Sequence, residues 1–254
     1  MDNKLPISVC ILVKNEEIHL EKCLSLLNQF SEVIILDTGS EDKSIEICKK
    51  HDAQVNTSDW KGFTQSRIEL FNKANSEWIF WLDADEYVSQ KLVDSLFEFF
   101  KAPPKNISAL KINRKVYFEK QWVHHGHWFP DWNIRLFKKD AWEMHEKLVH
   151  ESISLKYGET FKIEDLLEHH SFKDWNDFHQ RQNRYINLWA EGKFNANKKY
   201  RTPAGLHAIW DFIQGYFLKK GILDGQLGFK IAHQHAHYVS KKHQLLKALN
   251  QKRS

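Results

Sequence analysis

The chain has 254 residues, of which 42% are apolar, 28% charged and 13% aromatic, with only 10 Gly and 5 Pro. This composition excludes collagen-like, disordered and low-complexity proteins, and the length predicts one large domain or one domain with an appendage. No stretch reaches the ~18 consecutive apolar residues of a membrane span, and the N-terminus lacks the apolar core of a signal peptide, so we expect a cytoplasmic protein. Three cysteines without Cys-x-x-Cys spacing predict buried free thiols at Cys10, Cys23 and Cys48.

The net charge of +4 is concentrated at the C-terminus. Residues 225–254 carry six Lys or Arg and no Asp or Glu, so the preceding 224 residues sum to −2. A basic helical tail can bind anionic lipid, a phosphorylated substrate or nucleic acid, and a merely solvated helix end is the alternative. Because the rest of the chain is slightly acidic and has no familiar nucleic-acid-binding motif, we do not expect a nucleic-acid partner.

Residues 1–105 alternate between strand-like and helix-like patterns. Between the apolar runs, hydrophobic residues recur at helical spacing; Ser40 is placed to cap the second helix, and the fourth helix ends before Pro103. This alternation predicts a parallel sheet with right-handed crossovers, in which ligands lie at the carboxyl ends of the strands. The predicted strands are residues 7–13, 32–36, 53–57 and 78–82.

The pattern changes twice after residue 105. Residues 106–173 show short segments punctuated by Gly126 and Pro130, which predicts strands of a mixed extension to the sheet. Helical spacing returns in residues 174–254. There the segment HQHAH places His233 and His237 four residues apart, a spacing that can share a metal ion. No acidic residue follows it, so we expect a solvated or lipid-facing surface instead.

Polar, turn-forming residues follow three of the predicted strands. The most informative are Asp83 and Asp85, because two carboxylates at one strand end are close enough to share a divalent cation. Oxygen ligands suit Mg²⁺ or Mn²⁺, which could neutralise a diphosphate leaving group. The alternative is that one of the two aspartates caps the following helix.

Several motifs carry a family resemblance that covers nearly the whole chain. ISVCILVKNEE, VIILDTGSEDKS and WIFWLDADE, in this order, resemble the nucleotide-binding half of family 2 glycosyltransferases with the GT-A fold. HHGHWFPDWNIRLFKK, KLVHE, LEHHSF, RYINLWA and KKGILDGQLGFKIA resemble the lipopolysaccharide inner-core β-1,4-glucosyltransferases of the WaaE, KdtX and LgtF type.

The resemblance implies an α/β architecture of GT-A type: a Rossmann-like nucleotide-binding sheet with a mixed extension, and a C-terminal helical region. Residues 1–105 would form the nucleotide-sugar-binding half and residues 106–173 the acceptor and catalytic half of the same domain. Residues 174–254 would form the helical, basic region.

The resemblance also implies roles for individual residues at the nucleotide. One departure is that the usual Arg-Asn pair of the third helix reads Arg67-Ile68 here. The first-strand loop would contact the nucleoside, Asp37 would read uracil, Arg67 would lie near the donor nucleotide, and the fourth-strand loop would contact the nucleotide sugar. The residues of the two loops are Lys14, Asn15 and Glu16, and Asp83 and Ala84.

The metal and catalytic residues follow from the same resemblance. Asp85 would be a direct ligand of Mg²⁺ or Mn²⁺, Asp83 would be shared between ribose and metal, and His169 would complete the coordination. Glu151 of VHE would be the base that accepts the proton of the acceptor hydroxyl. Asp131 of PDW is the alternative base.

Together these motifs imply an inverting glycosyltransferase. It would move a hexose, most simply glucose, from a UDP-sugar to the heptose of the lipopolysaccharide inner core. That acceptor is lipid-linked, so the basic C-terminus would contact the cytoplasmic face of the inner membrane. Transfer to another surface polysaccharide is an alternative. A sugar nucleotidyltransferase normally needs a glycine-rich loop that LVKNEE lacks, and a non-catalytic binding module is disfavoured by the intact acids.

Overall fold

The computed structural model describes residues 4–118, 120–145, 152–172, 174–198 and 203–252. They divide into two compact units. The first unit contains the described residues within 1–114, 132–146 and 151–169, and the second those within 115–131 and 170–254. No helix in these ranges is long and apolar enough to cross a membrane. The functional division at residues 105 and 173 stays a prediction.

Strands and helices largely alternate in the first unit up to residue 101, and the described remainder of that unit contains strands. Its strands are β1 (Leu5–Val13), β2 (Phe30–Asp37), β3 (Gln54–Thr57), β4 (Trp78–Asp83), β5 (Glu86–Tyr87), β6 (Ile107–Phe118), β8 (Trp132–Lys138), β9 (Trp142–His145), β10 (Ser152–Leu155) and β11 (Glu159–Phe172). Its helices are α1 (Glu17–Ser25), α2 (Ser44–Lys50), α3 (Phe63–Asn72) and α4 (Gln90–Lys101). Strands β6 and β11 continue into the second unit, which also holds the short β7 (Gln121–Trp122).

The main sheet is mixed, as predicted. Its order is β3-β2-β1-β4-β8-β6-β11-β5, with β7 paired to β6. Strands β3, β2, β1 and β4 run parallel, whereas β8 is antiparallel to β4 and β6, and β11 is antiparallel to β5. In the register, Val13 lies opposite Asp37 and Leu12 opposite Asp83. The polar loops that follow β1, β2 and β4 therefore leave the same edge of the sheet.

Both faces of the parallel strands are buried, which explains their continuous apolar runs. In β1, Val9 and Ile11 belong to the larger of the first unit's two core clusters, together with residues of α1 and α4. Cys10 faces the other way, into a cluster that contains Leu70 and Phe71 of α3. All three cysteines are buried and free, as predicted.

The second unit is mainly helical, which confirms the predicted change after residue 173. It contains α5 (Trp175–Asn195), α6 (Ala204–Ile213) and α7 (Gly225–Lys252), with a π-helical turn (Gln214–Leu218) and a 3₁₀ turn (Gly221–Asp224) between the last two helices. Asp174 caps α5 by accepting a hydrogen bond from the backbone of Asp177. A small core lies within this unit between α5, α7 and residues 118–123, and its buried members are Phe118, Val123, Phe178 and Ile231.

Candidate active site

The loops after β1 and β2 are tied together by hydrogen bonds. The Asn15 N–H donates to Ser40 Oγ at 2.9 Å, and Asn15 Oδ1 accepts from the Glu41 N–H at 2.8 Å. The prediction that Ser40 caps the second helix is wrong, since α2 begins at Ser44. The serine hydroxyl instead fixes the first-strand loop, a contact between distant residues that local capping rules do not reveal.

Asp37 closes the turn that follows β2. Its side chain is buried, and one carboxylate oxygen accepts from the N–H groups of Gly39 (3.0 Å) and Ser40 (3.1 Å). Gly39 has a φ of +97°, a conformation that glycine adopts without steric cost. The fold thus brings Asp37 to the same edge as exposed Lys14 and half-buried Glu16, and their contacts with a nucleoside stay a prediction.

Asp83, the last residue of β4, is held by two arginines. Its Oδ1 lies 3.1 Å from Arg67 Nη2 and its Oδ2 lies 3.0 Å from Arg135 Nη2. Trp81 contacts both Asp83 and Arg67. Its Nε1–H donates to Asp83 Oδ1 at 3.3 Å, and the centre of its ring lies 4.4 Å from the guanidinium carbon of Arg67. Although burial works in the opposite direction, Arg135 and Arg67 hold the pKa of Asp83 well below its usual range.

A buried glutamate completes this network. Glu86 is fully buried; it pairs with Arg135 through Oε1, which also lies 3.5 Å from Arg114 Nη1. Its Oε2 accepts from the Asp83 N–H at 3.1 Å, so Glu86 fixes the backbone of the acidic loop. Burial raises the pKa of Glu86, and the charge of Arg135 opposes that rise.

Sequence reasoning missed Glu86, Arg114 and Arg135 as parts of the site. Arg135 offers the clearest signal, since it is an arginine within the otherwise apolar IRLF of a predicted strand. Arg135 is only 3% exposed, and a buried arginine requires an acidic partner. The partner could not be identified from sequence, because Glu86 lies 49 residues away.

Asp85 faces His169, the residue that the resemblance pairs with it. Asp85 Oδ2 lies 3.6 Å from His169 Nε2, with the two side chains 20% and 13% exposed. Strand β11 creates this contact by placing His169 opposite Glu86 of β5, one residue beyond Asp85. Burial raises the pKa of Asp85, but the nearby imidazole lowers it more, so its value lies below the usual one. Between the aspartates, Ala84 is buried.

The donor set at this end of β4 fits a divalent cation. A carboxylate and an imidazole converge at Asp85 and His169, and both remain partly accessible. Asp83 is turned toward its two arginines, and in the described ranges the three side chains do not bring ligand atoms within 4.8 Å of one another. Asp85 and His169 are therefore the pair that could hold the ion.

The structure describes only one of the two candidate bases. Glu151 lies outside the described residues. Asp131 belongs to the second unit, where it is half-buried and follows Pro130. The choice between them stays a prediction.

Comparisons with known proteins agree on one family. The model of glycosyl transferase family 2 matches residues 8–156. A Rickettsia typhi protein described as an uncharacterized glycosyltransferase is 24% identical over 235 residues, 88% of this chain and 80% of that protein. A lipopolysaccharide core biosynthesis glycosyltransferase of Rhizobium meliloti is 29% identical over 119 residues, 45% of this chain and 44% of its own length.

Among solved structures, a mannosyltransferase from Pyrobaculum calidifontis, in complex with GDP-Man and Mn²⁺, matches with a TM-score of 0.52 at 13% identity. The match covers 94% of this chain and 86% of that one, and it confirms the predicted GT-A fold with a helical C-terminal region. The chain therefore belongs to glycosyl transferase family 2 and is a glycosyltransferase.

Proposed function

We propose that the chain is an inverting hexosyltransferase that moves glucose from UDP-glucose to the heptose of the lipopolysaccharide inner core. The assignment of a nucleotide-sugar donor depends on one observation, the contact between Asp85 and His169. Asp83, two residues before Asp85, is held in place beside it by Arg67 and Arg135. The choice of glucose and heptose depends on the sequence motifs of the WaaE, KdtX and LgtF type. The partial similarity to a lipopolysaccharide core enzyme of Rhizobium meliloti supports the acceptor.

The donor would bind at the carboxyl edge of the parallel strands. The first-strand loop and Asp37 would contact the nucleoside, and Asp83 would contact the ribose. Asp85 and His169 would hold a Mg²⁺ or Mn²⁺ ion, whose charge would stabilise the departing diphosphate. The mannosyltransferase of Pyrobaculum calidifontis was solved with Mn²⁺ and a nucleotide sugar, which supports the same cofactor class here.

Transfer requires a base at the acceptor. A sugar hydroxyl has a high pKa, so a carboxylate must accept its proton as the oxygen attacks the anomeric carbon. The new bond forms on the face opposite the diphosphate while the bond to the diphosphate oxygen breaks, and an α-linked donor therefore gives a β-linked product. We assign the base to Glu151, with Asp131 as the alternative.

The donor proposal predicts a metal-dependent thermal shift. UDP-glucose should raise the melting temperature with Mn²⁺ and much less without it, since a ligand that binds only the folded state stabilises it by about 2.7 kcal/mol at 100 times its Kd. UDP-galactose, UDP-GlcNAc and ADP-heptose complete the panel. Asp85→Asn should reduce the shift with Mn²⁺ to the metal-free value, because an amide oxygen carries no net charge for the ion.

The matched control for this panel is Asp94→Asn, which changes an exposed aspartate of α4 and should keep the full shift. An unchanged shift in Asp85→Asn would exclude the assigned ligand. A larger shift with ADP-heptose than with any UDP-sugar would exclude the proposed donor class.

We also propose that the second unit contacts the membrane that carries a lipid-linked acceptor. None of the ten residues of α6 is buried. Large apolar side chains stay exposed from α6 to the start of α7, beside the exposed lysines 219, 220 and 230. Apolar groups next to cationic ones are typical of helices that lie in an anionic membrane interface. The exposed set is Leu206, Ile209, Trp210, Phe217, Leu218, Ile222, Leu223 and Phe229.

Liposome flotation tests this surface. The chain should bind vesicles that contain anionic lipid, and less so at high salt, because screening weakens the lysine contacts. Leu223→Ser should weaken binding by about 10-fold or more, since burying a leucine side chain contributes roughly 1.5–3 kcal/mol. The control is Ile18→Ser. Ile18 and Leu223 are each 65% exposed, but Ile18 lies on α1 of the first unit. Absence of binding at every salt concentration would remove the proposal.

A further inference from the structure

A cluster of two histidines and one aspartate lies in the second unit, outside the residues used above. His235 Nδ1 lies 2.7 Å from Asp211 Oδ2, and His127 Nε2 lies 3.3 Å from the same oxygen. One ligand atom from each of the three residues lies within 4.8 Å of the other two. The middle histidine of HQHAH thus faces an acid on α6, while the outer two, His233 and His237, are exposed. The sequence spacing had singled out only the outer pair.

The surroundings of His127 are built to admit its ring. A Cβ atom on Gly215 would lie 2.4 Å from His127 Nε2, so the imidazole occupies space that only a glycine leaves open. Gly215 lies in the π-helical turn after α6, an irregularity that often occurs at functional sites. The adjacent Gly126 N–H donates to the Lys219 carbonyl at 2.9 Å and anchors the loop that carries His127. Three separate segments therefore converge on one point.

The three side chains have the accessibility of metal ligands. The side chains of His127, Asp211 and His235 are 9%, 15% and 28% exposed, so they are mostly desolvated but can be reached by a small ion. Burial raises the pKa of Asp211, yet hydrogen bonds from both imidazoles bring it below its usual range, which keeps the carboxylate charged. Burial also lowers the pKa of His235, and the hydrogen bond with Asp211 opposes that fall.

We propose that His127, Asp211 and His235 form a zinc site that joins the loop before Asp131 to helices α6 and α7. Two imidazoles and one carboxylate are a common ligand set for Zn²⁺, and a water molecule would take the fourth position. The imidazole content separates this site from the carboxylate-rich end of β4, which suits Mg²⁺ or Mn²⁺. The site does not depend on the proposed donor or acceptor.

Zinc binding requires a small rearrangement of the histidines. The two rings are stacked with centroids 4.1 Å apart and planes 20° from parallel, so one ring must turn to direct its nitrogen at a shared ion. His235, the more exposed of the two, is the ring that turns. His127 Nε2 also lies 3.0 Å from the Asp211 carbonyl oxygen, so ligation through Nε2 requires the neutral tautomer that carries its proton on Nδ1.

Cobalt is the probe for this site, because four-coordinate Co²⁺ absorbs strongly in the visible range and Mg²⁺-type oxygen sites do not give that spectrum. The full chain, stripped of metal with EDTA, should bind one equivalent of Co²⁺ with this absorption, and Zn²⁺ should displace it. Asp211→Asn and His235→Ala should abolish the absorption. His233→Ala is the matched control on the same helix and should retain it.

Asp85→Asn should also retain the absorption, which separates this site from the end of β4. Asp211→Asn preserves side-chain shape, and circular dichroism checks that each variant is folded. A second readout is the melting temperature, which Zn²⁺ should raise by several degrees in the unchanged chain and in His233→Ala but not in Asp211→Asn. Absence of the Co²⁺ absorption in the unchanged chain, or its persistence in folded Asp211→Asn, would overturn the proposal and leave a hydrogen-bonded cluster only.

Discussion

We expect the isosteric change Glu151→Gln to lower kcat by about 10²- to 10⁴-fold, the usual contribution of a positioned general base. An amide cannot accept the proton of the acceptor hydroxyl at neutral pH, so attack on the anomeric carbon loses its base. The affinity for UDP with Mn²⁺ should stay close to that of the unchanged chain, because the residues proposed to bind the nucleotide lie at the ends of β1, β2 and β4. Single-turnover transfer and UDP thermal shifts measure the two quantities separately.

Asp131→Asn is the comparison for this experiment, since Asp131 is the alternative base. If Glu151 is the base, Asp131→Asn should keep activity within about 10-fold of the unchanged chain, because proton transfer from the acceptor hydroxyl would then not depend on Asp131. Near-normal turnover in Glu151→Gln together with a loss of several orders of magnitude in Asp131→Asn would reverse the assignment. Loss of UDP binding in Glu151→Gln would instead show that the residue supports the donor site.

The sequence predicted the sheet well because its strands are long, apolar and buried on both faces. The apolar runs of β1, β2 and β4 each predict a buried strand from local sequence alone. The packing of the folded protein agrees with that prediction, as Val9 and Ile11 of β1 show by lying in the main core. The placement of the acidic loop followed from the same pattern, since parallel strands bring their carboxyl ends to one edge. The boundaries of the four predicted parallel strands shifted by at most two residues, as with β2, which begins at Phe30.

The electrostatic partners could not be predicted, because they join residues that are distant in the chain. Arg135 of β8 reaches Glu86 and Asp83 only because β8 is inserted beside β4 in the sheet. No local rule specifies that insertion. The same is true of His235, which pairs with Asp211, 24 residues away, whereas His233 and His237 of the same helix are exposed. Periodicity identifies the face of a helix, but the residue opposite that face depends on the packing of the whole unit.

The arginine network should also control stability. We expect Arg135→Met to lower the free energy of unfolding by roughly 3–5 kcal/mol, since removing one partner of a buried ion pair leaves the other charge uncompensated. Glu86 is fully buried and would lose its closest cation. Urea unfolding measures the loss. The control is Lys101→Met, which breaks an ion pair with Glu98 in which both side chains are more than 60% exposed, and which should cost at most about 1 kcal/mol.

Two further measurements separate an uncompensated charge from lost packing. Adding Glu86→Gln to Arg135→Met should recover part of the loss, because the buried negative charge is then absent. Lowering the pH should have the same effect: burial already raises the pKa of Glu86, and without Arg135 that pKa rises further. The folded variant then binds a proton that the unfolded chain releases, so its deficit should be smaller near about pH 5 than near about pH 8. A deficit independent of pH and unchanged by Glu86→Gln would mean that Arg135 stabilises the sheet by packing rather than by charge.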